Sequence, residues 1–249
     1  MIERGKIINW ELFPELISEG LRAFGKDSNI QPIAIIEHPN QFTNFELNRI
    51  IEFLFTRFGT PSVGIIPSPI CSLCNIGETT GIVVFVRPAI YAVIPVWEGN
   101  VLSNHQKILN KEPDAQTLVT LIQQVQKSFT NEKMKSELSK RIVLSGDPKK
   151  HGTLFSKLKT ILKESKVVIP QDKFDVVRGG ILISQTRQFK EGYISRLKYE
   201  CDPNNILSFR TVMRYQSIPA CKLNWKMIKL LGPTSKPKTI YDNNFFDED

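Results

Sequence analysis

Thr80–Val96 reads TGIVVFVRPAIYAVIPV. Two apolar runs, Thr80–Val86 and Ile90–Val96, flank Arg87-Pro88-Ala89. Both are short and rich in β-branched residues, which predicts two adjacent strands with a turn between them. Upstream, Pro69–Asn75 predicts a helix with proline near its start, where the missing N–H costs nothing, closed by Gly77. Ser62–Ile66 and Pro32–Glu37 are further strand candidates, the latter followed by the turn His38-Pro39-Asn40. Between them, Asn44–Phe58 places Phe45, Ile50, Ile51, Leu54, Phe55 and Phe58 at helical spacing before Gly59. Trp10–Phe24 predicts an amphipathic helix, with Leu12, Leu16, Ile17, Leu21 and Phe24 on one side.

Downstream, Ser103–Pro113 is polar and unpatterned. Ala115–Phe129 predicts a helix, Met134–Ser139 a short one, and Arg141–Leu144 a strand. Leu154–Ser165 predicts a basic amphipathic helix and Lys166–Pro170 a strand. Val176–Arg178 leads through Gly179-Gly180 into an apolar stretch ending at Ser184, and Phe189–Tyr199 reads as helical or mixed. The pattern weakens after Arg210, and Thr234–Asp249 is polar, as expected of a mobile or partner-bound tail. Strands and helices alternate along most of the chain, which argues for an α/β class with helices layered on sheets.

The chain has 249 residues, 41% of them apolar and 23% charged. That composition supports a real core and excludes bulk disorder. The stretch around Val63–Val86 is interrupted by Pro67, Pro69, Asn75 and Glu78, so no membrane span is expected. No secretory signal or transit peptide is expected at residues 1–13, which carry Glu3, Arg4, Lys6 and Glu11. Four cysteines are too few for a disulfide scaffold. Cys71 and Cys74 form an isolated CxxC inside an apolar segment, without a second pair or an adjacent His, and read as buried small hydrophobes. The net charge of +8 is moderate, and its lysine clusters alternate with apolar residues as solvated helix faces do. His38, His105 and His151 are isolated in sequence, and no P-loop, GxSxG, HExxH or GxGxxG motif occurs.

The order and spelling of several blocks say more. Ile2–Trp10 (IERGKIINW), Gly77–Val83 (GETTGIV), Ile94–Gly99 (IPVWEG), Arg141–Gly146 (RIVLSG) and Val176–Ile183 (VVRGGILI) resemble actin and the actin-related proteins, in that family's order. Phe189–Glu200 (FKEGYISRLKYE) is similar to the C-terminal helix and turn of actin. The resemblance spans about residues 2–210. It implies an α/β, reduced actin-like fold of the RNase H-like actin-ATPase superfamily, with the two inner subdomains and without the outer ones. Residues 1–75 would form a first inner part and 76–186 a second, with an outer subdomain deleted near 110–114. Residues 187–210 would return to the first part, and 211–249 would be an extension. Met1 would fall after the first strands and first phosphate loop of actin.

The same resemblance implies a decayed nucleotide site. The second phosphate loop of actin-like ATPases uses glycine N–H groups to approach phosphate and aspartates to organise magnesium and water. Its positions here are Phe85, Val86, Arg87 and Pro88, followed by Ala89. Pro88 removes a backbone donor. The water-orienting glutamine corresponds to Ser68, and the adenosine-side turn becomes Gly146, Asp147, Pro148 and Lys149. Lys149, Lys150 and Arg87 remain as candidate anion contacts. No catalytic residue, cofactor or metal is therefore expected, and the chain is expected not to be an enzyme.

The implied role is a non-catalytic actin-related structural subunit of a larger assembly: cytoskeletal, axonemal or chromatin-associated. The expected partners are protein subunits, including actin or another actin-related protein, in the cytoplasm and cytoskeleton, or alternatively the nucleus. Trp225, Met227, Ile228, Leu230 and Leu231 are candidate anchors of a partner-docking arm, or of self-packing over an open sheet edge. A contact groove would use parts of Gly99–Leu109 and Gly180–Phe189. Two alternatives stay open. One is a residual nucleotide or phosphate binder without hydrolysis. The other is a nucleic-acid-contacting subunit using Lys133–Lys166, although nucleic acid is not the expected partner.

Overall fold

The computed structural model describes residues 2–3, 6–23, 31–39, 41–87, 90–109, 111–163 and 165–203. The docking arm Trp225, Met227, Ile228, Leu230 and Leu231 lies outside the described residues, as does Pro88.

A short antiparallel pair, β1 (Ile2–Glu3) and β2 (Lys6–Ile7), opens the chain. Helix α1 (Phe13–Ala23) follows, its entry shaped by the Asn9 side chain, which accepts from the backbone N–H groups of Glu11 and Leu12. Strand β3 (Ile33–Glu37) and strand β4 (Ser62–Pro67) pair in parallel across helix α2 (Asn44–Thr56). Thr43 and Glu46 form a reciprocal capping box that sets the start of α2. Helix α3 (Ser68–Cys74) leaves β4 directly, with Pro69 in its first turn.

The quoted core stretch forms strands β5 (Gly81–Arg87) and β6 (Ile90–Trp97), paired antiparallel. Arg87, expected in the turn, is the last residue of β5, and Phe85 and Val86 are fully buried strand residues rather than loop positions. Glu98 and Gly99 both take positive φ and close a tight hairpin from β6 to β7 (Asn100–Val101). The polar stretch 103–113 is not structureless. A 3₁₀ turn over Ser103–His105 leads to β8 (Lys107–Leu109), which pairs with Tyr91–Val93 of β6. Its polar residues conceal the strand period, and a neighbouring strand supplies the order.

Helices α4 (Ala115–Lys127) and α5 (Glu132–Lys140) precede β9 (Arg141–Gly146), which joins β5 in parallel. Helix α6 (Pro148–Ile161) starts six residues before the sequence pattern predicts. Its real start signal is Asp147, whose side chain caps the Lys149 N–H, with Pro148 at the first helical position. Strand β10 (Lys166–Val168) lies beside β9. Helix α7 (Asp175–Ser184), helix α8 (Arg187–Glu191), strand β11 (Ile194–Ser195) and helix α9 (Arg196–Cys201) complete the described chain.

Two larger sheets result. One runs β10-β9-β5-β6-β7, with β8 also on β6; the other runs β11-β4-β3. Side-chain alternation divides them into layers. Val83 and Phe85 point with Ala34, Ile36 and Ile66 into a core shared with α3 and α7, between the sheets. Ile82, Val84 and Val86 face α4, α5 and α6 on the outer side of the larger sheet. Ile33, Ile35 and Val63 face α1 and α2 on the outer side of the smaller one. The α3–α7 crossing is close because Gly179 of α7 stands at it, and Gly180 lets α7 approach β3. A Cβ on Gly179 would overlap the Cys71 carbonyl, and one on Gly180 the Ile36 side chain. The fold is thus mixed α/β, as its alternating pattern predicts.

Candidate functional site

Parallel pairing gives β3, β4, β5 and β9 their carboxyl ends at corresponding places, and α/β folds generally place ligands at such ends. Here the residues that follow these strands meet in a seam between the sheets. His38 follows β3, and its Nδ1 shares a 2.8 Å hydrogen bond with the Ser68 hydroxyl at the start of α3. The His38 ring meets the Phe85 ring edge-on at 5.8 Å. Arg87, at the end of β5, points its guanidinium toward α7.

Arg87 Nη2 donates to Asp175 Oδ1 at 2.6 Å and to the Ser145 hydroxyl at 3.1 Å, while Nη1 donates to the Lys173 carbonyl at 3.4 Å. Asp175 Oδ2 accepts from Ser145 at 2.7 Å and from Ser72 at 3.2 Å. Asp175 is 2% exposed, and Ser72 and Ser145 are also buried. The carboxylate therefore sits in low dielectric with a guanidinium and two hydroxyls around it. Burial raises the Asp175 pKa; Arg87 and the hydroxyls pull against that shift without cancelling it. Burial, reinforced by the Arg87 charge, lowers the His38 pKa to about 4, so its imidazole is neutral at pH 7.

The arrangement holds its charge inside the protein. A cation stands at the end of β5, where the resemblance places a glycine-rich phosphate cradle, and its charge is matched by Asp175 rather than left for a ligand. Gly146 does not offer an open turn either: it is the last residue of β9, and a Cβ there would overlap the Val86 carbonyl. Asp147 and Pro148, expected as remnants of an adenosine-side turn, are the cap and first residue of α6. Lys149 and Lys150 are exposed on the first turn of that helix, while Arg87 is directed to Asp175. These residues do not fit a magnesium–nucleotide complex. Arg87 is already paired with Asp175, and no group of three or more metal-ligating side chains occurs among the described residues.

Sequence reading singled out Phe85, Val86, Arg87, Gly146, Asp147 and Ser68. The structure brings Arg87 and Phe85 together with Asp175, Ser145, Ser72 and His38, which pattern alone did not select. One local signal for Asp175 existed: an isolated acid immediately before an apolar helical run, at a helix start where a carboxylate is favoured. Cys71 and Cys74 are buried in α3. Burial raises the pKa of both thiols, that of Cys74 to about 12, which leaves them protonated and poor nucleophiles.

Val101 and Ile108, from the stretch expected to line a contact groove, pack against the same buried cluster as Ile183 and Phe189. No helix among the described residues is long and apolar enough to cross a membrane. The family model described as Actin matches residues 1–111.

Proposed function

The chain carries an actin-family domain over residues 1–111, and from that premise we propose that it serves as a non-catalytic structural subunit of a larger protein assembly. What supports this reading most directly is the Arg87–Asp175 pair. A nucleotide site of this family needs open backbone N–H groups and carboxylates free to organise a metal. Here the strand end carries a guanidinium that donates to Asp175, Ser145 and the Lys173 carbonyl. Opening that network to admit phosphate would strand a buried carboxylate, which is costly. The neutral His38 adds no cation to attract an anion. The seam reads as a lock between the layers rather than as a cleft that opens and closes. In this reading the protein contributes shape and surface to its assembly, in a cytoskeletal or nuclear setting, with proteins as its partners.

The test has two arms. ATP and ADP are titrated into the purified chain with and without magnesium, by calorimetry. The expected result is no magnesium-dependent heat and no phosphate release on prolonged incubation. Micromolar, magnesium-dependent binding would replace the scaffold reading with a nucleotide-plugged one. In the second arm the tagged endogenous protein is purified gently and its native mass measured. A stoichiometric complex supports the proposal, whereas a free monomer of 28.4 kDa opposes it.

A further inference from the structure

Helices α4 and α6 pack beside one another on the outer face of the larger sheet, and neither contains an acidic residue. Lys149, Lys150, Lys157 and Lys159 are exposed on α6, and Lys163 is exposed just beyond it. No ion pair engages any of these lysines among the described residues. Some cations elsewhere on the surface are paired. Arg141, Arg178, Arg187 and Arg196 each meet a carboxylate, and Lys135 on neighbouring α5 meets Glu132.

The uncompensated charge has a regular layout. Thr153, Ser156 and Thr160 follow one another along the exposed side of α6 at spacings of three and four residues. By helical spacing Lys150 and Lys157 flank this hydroxyl row on one side and Lys159 on the other. Thr153, Ser156, Lys157, Thr160 and Ile161 line a shallow open depression. The inward side of the helix is held by Phe155 and Leu158, both fully buried, so the lysines project from a fixed platform.

We propose that this face docks an acidic segment of a partner protein, with the segment along the hydroxyl row and its carboxylates on the lysine rims. Charge complementarity selects the class of occupant. The chemistry of the face separates that occupant from other polyanions. Every cation in this set is lysine, whereas phosphate recognition favours the arginine fork. No aromatic side chain is exposed on α6 to stack a base. A membrane-surface helix would turn aromatic or leucine side chains outward, yet Phe155 and Leu158 point into the core. The proposal rests on the structural-subunit reading only in taking the occupant to be a protein.

The test uses the full chain and a fluorescent poly-glutamate peptide at low salt. The expected result is saturable binding that weakens as salt rises. The triple variant Lys150→Glu, Lys157→Glu, Lys159→Glu should bind about tenfold or more weakly, with its melting temperature unchanged. The milder Lys150→Gln, Lys157→Gln, Lys159→Gln variant should fall between the two. Lys133→Glu on α5 should bind as the parent does. Peptide binding that the α6 triple variant leaves intact would overturn the proposal. So would absence of peptide binding, or tighter binding of a mixed-sequence single-stranded oligonucleotide or of phosphatidylserine vesicles. The assay contains no nucleotide, so these failures remain distinct from a failure of the structural-subunit reading, which the nucleotide titration decides.

Discussion

Arg87 at the end of β5 and Asp175 at the start of α7 meet at 2.6 Å, joining the larger sheet to the helix that packs against α3. The carboxylate is nearly inaccessible and the guanidinium is one-fifth exposed, so the pair has one dry end and one wet end. Removing the cation alone leaves a buried carboxylate without its partner. Arg87→Met is expected to destabilise the fold by about 3 kcal/mol. Adding Asp175→Asn in the same chain should recover about 1 kcal/mol or more, because the stranded charge is gone while hydrogen bonding to the hydroxyls persists. Urea midpoints of the parent, the single and the double variant measure both. Equal stability of the single variant and the parent would show that the pair does not hold the layers.

His38 gives the fold a pH dependence of definite sign. Its pKa lies at about 4 in the folded chain, against an ordinary 6.5. As pH falls below 6.5 the unfolded chain takes up the proton first, so stability is lost between pH 6.5 and 4. The slope is about 1.4 kcal/mol per pH unit, and the total is up to about 3 kcal/mol. Asp175 acts with the opposite sign. Its carboxyl is raised, so as pH falls the folded chain takes that proton before the unfolded one does, and folding is favoured. In chemical denaturation across this range, His38→Gln should flatten the fall relative to the parent. An unchanged slope would assign the dependence to other groups.

The α3–α7 crossing predicts opposite outcomes for the same substitution at two helical glycines. Alanine in place of glycine favours an exposed helix by about 1 kcal/mol. Gly152 in α6 has open space where a Cβ would go, so Gly152→Ala should raise stability by up to about 1 kcal/mol. Gly179 in α7 would place its Cβ on the Cys71 carbonyl, and a backbone atom cannot swing aside. Gly179→Ala should therefore cost about 3 kcal/mol, from overpacking alone. Thermal melts of the two variants settle the contrast, and a stabilised Gly179→Ala would mean that the helices are not in contact there.

Asp147 makes the assignment of the α6 start measurable. Its side chain accepts from the Lys149 N–H ahead of Pro148. Asp147→Ala should cost about 1 kcal/mol, and Asp147→Ser much less, since serine caps comparably. An Asp147→Ala variant as stable as the parent would place the helix start elsewhere.

How much of this was legible beforehand differs element by element. The runs Thr80–Val86 and Ile90–Val96 announce β5 and β6 because their apolar, β-branched composition is itself the strand signal, and Ile82–Val86 and Ala92–Val96 are buried. Asn44–Phe58 announces α2 for the same reason, since its buried Leu47, Ile50, Ile51, Leu54 and Phe55 recur at helical spacing. Strand β8 was not legible, because its order comes from pairing with β6 rather than from its own composition. The start of α6 was concealed by reading Asp147-Pro148 as a degraded turn when the two residues are a helix cap. For the candidate site, the resemblance pointed to positions 85–88 and assigned Arg87 to a loop, whereas Arg87 is the last residue of β5.

The sequence by itself determined the alternation of strands and helices, which faces of the strands are apolar, and the absence of glycines and aspartates at 85–89. Those features are carried by neighbouring residues, and side-chain periodicity reports them directly. Only the tertiary structure decided that Arg87 finds Asp175, 88 positions away, and that Ser72, Ser145 and His38 gather around them. A long-range ion pair leaves no local period, because its geometry exists only once parallel strands align their ends and α7 crosses α3 at Gly179. The same holds for α6, where the sequence supplied the lysines. Burial of Phe155 and Leu158 determined that they share one face.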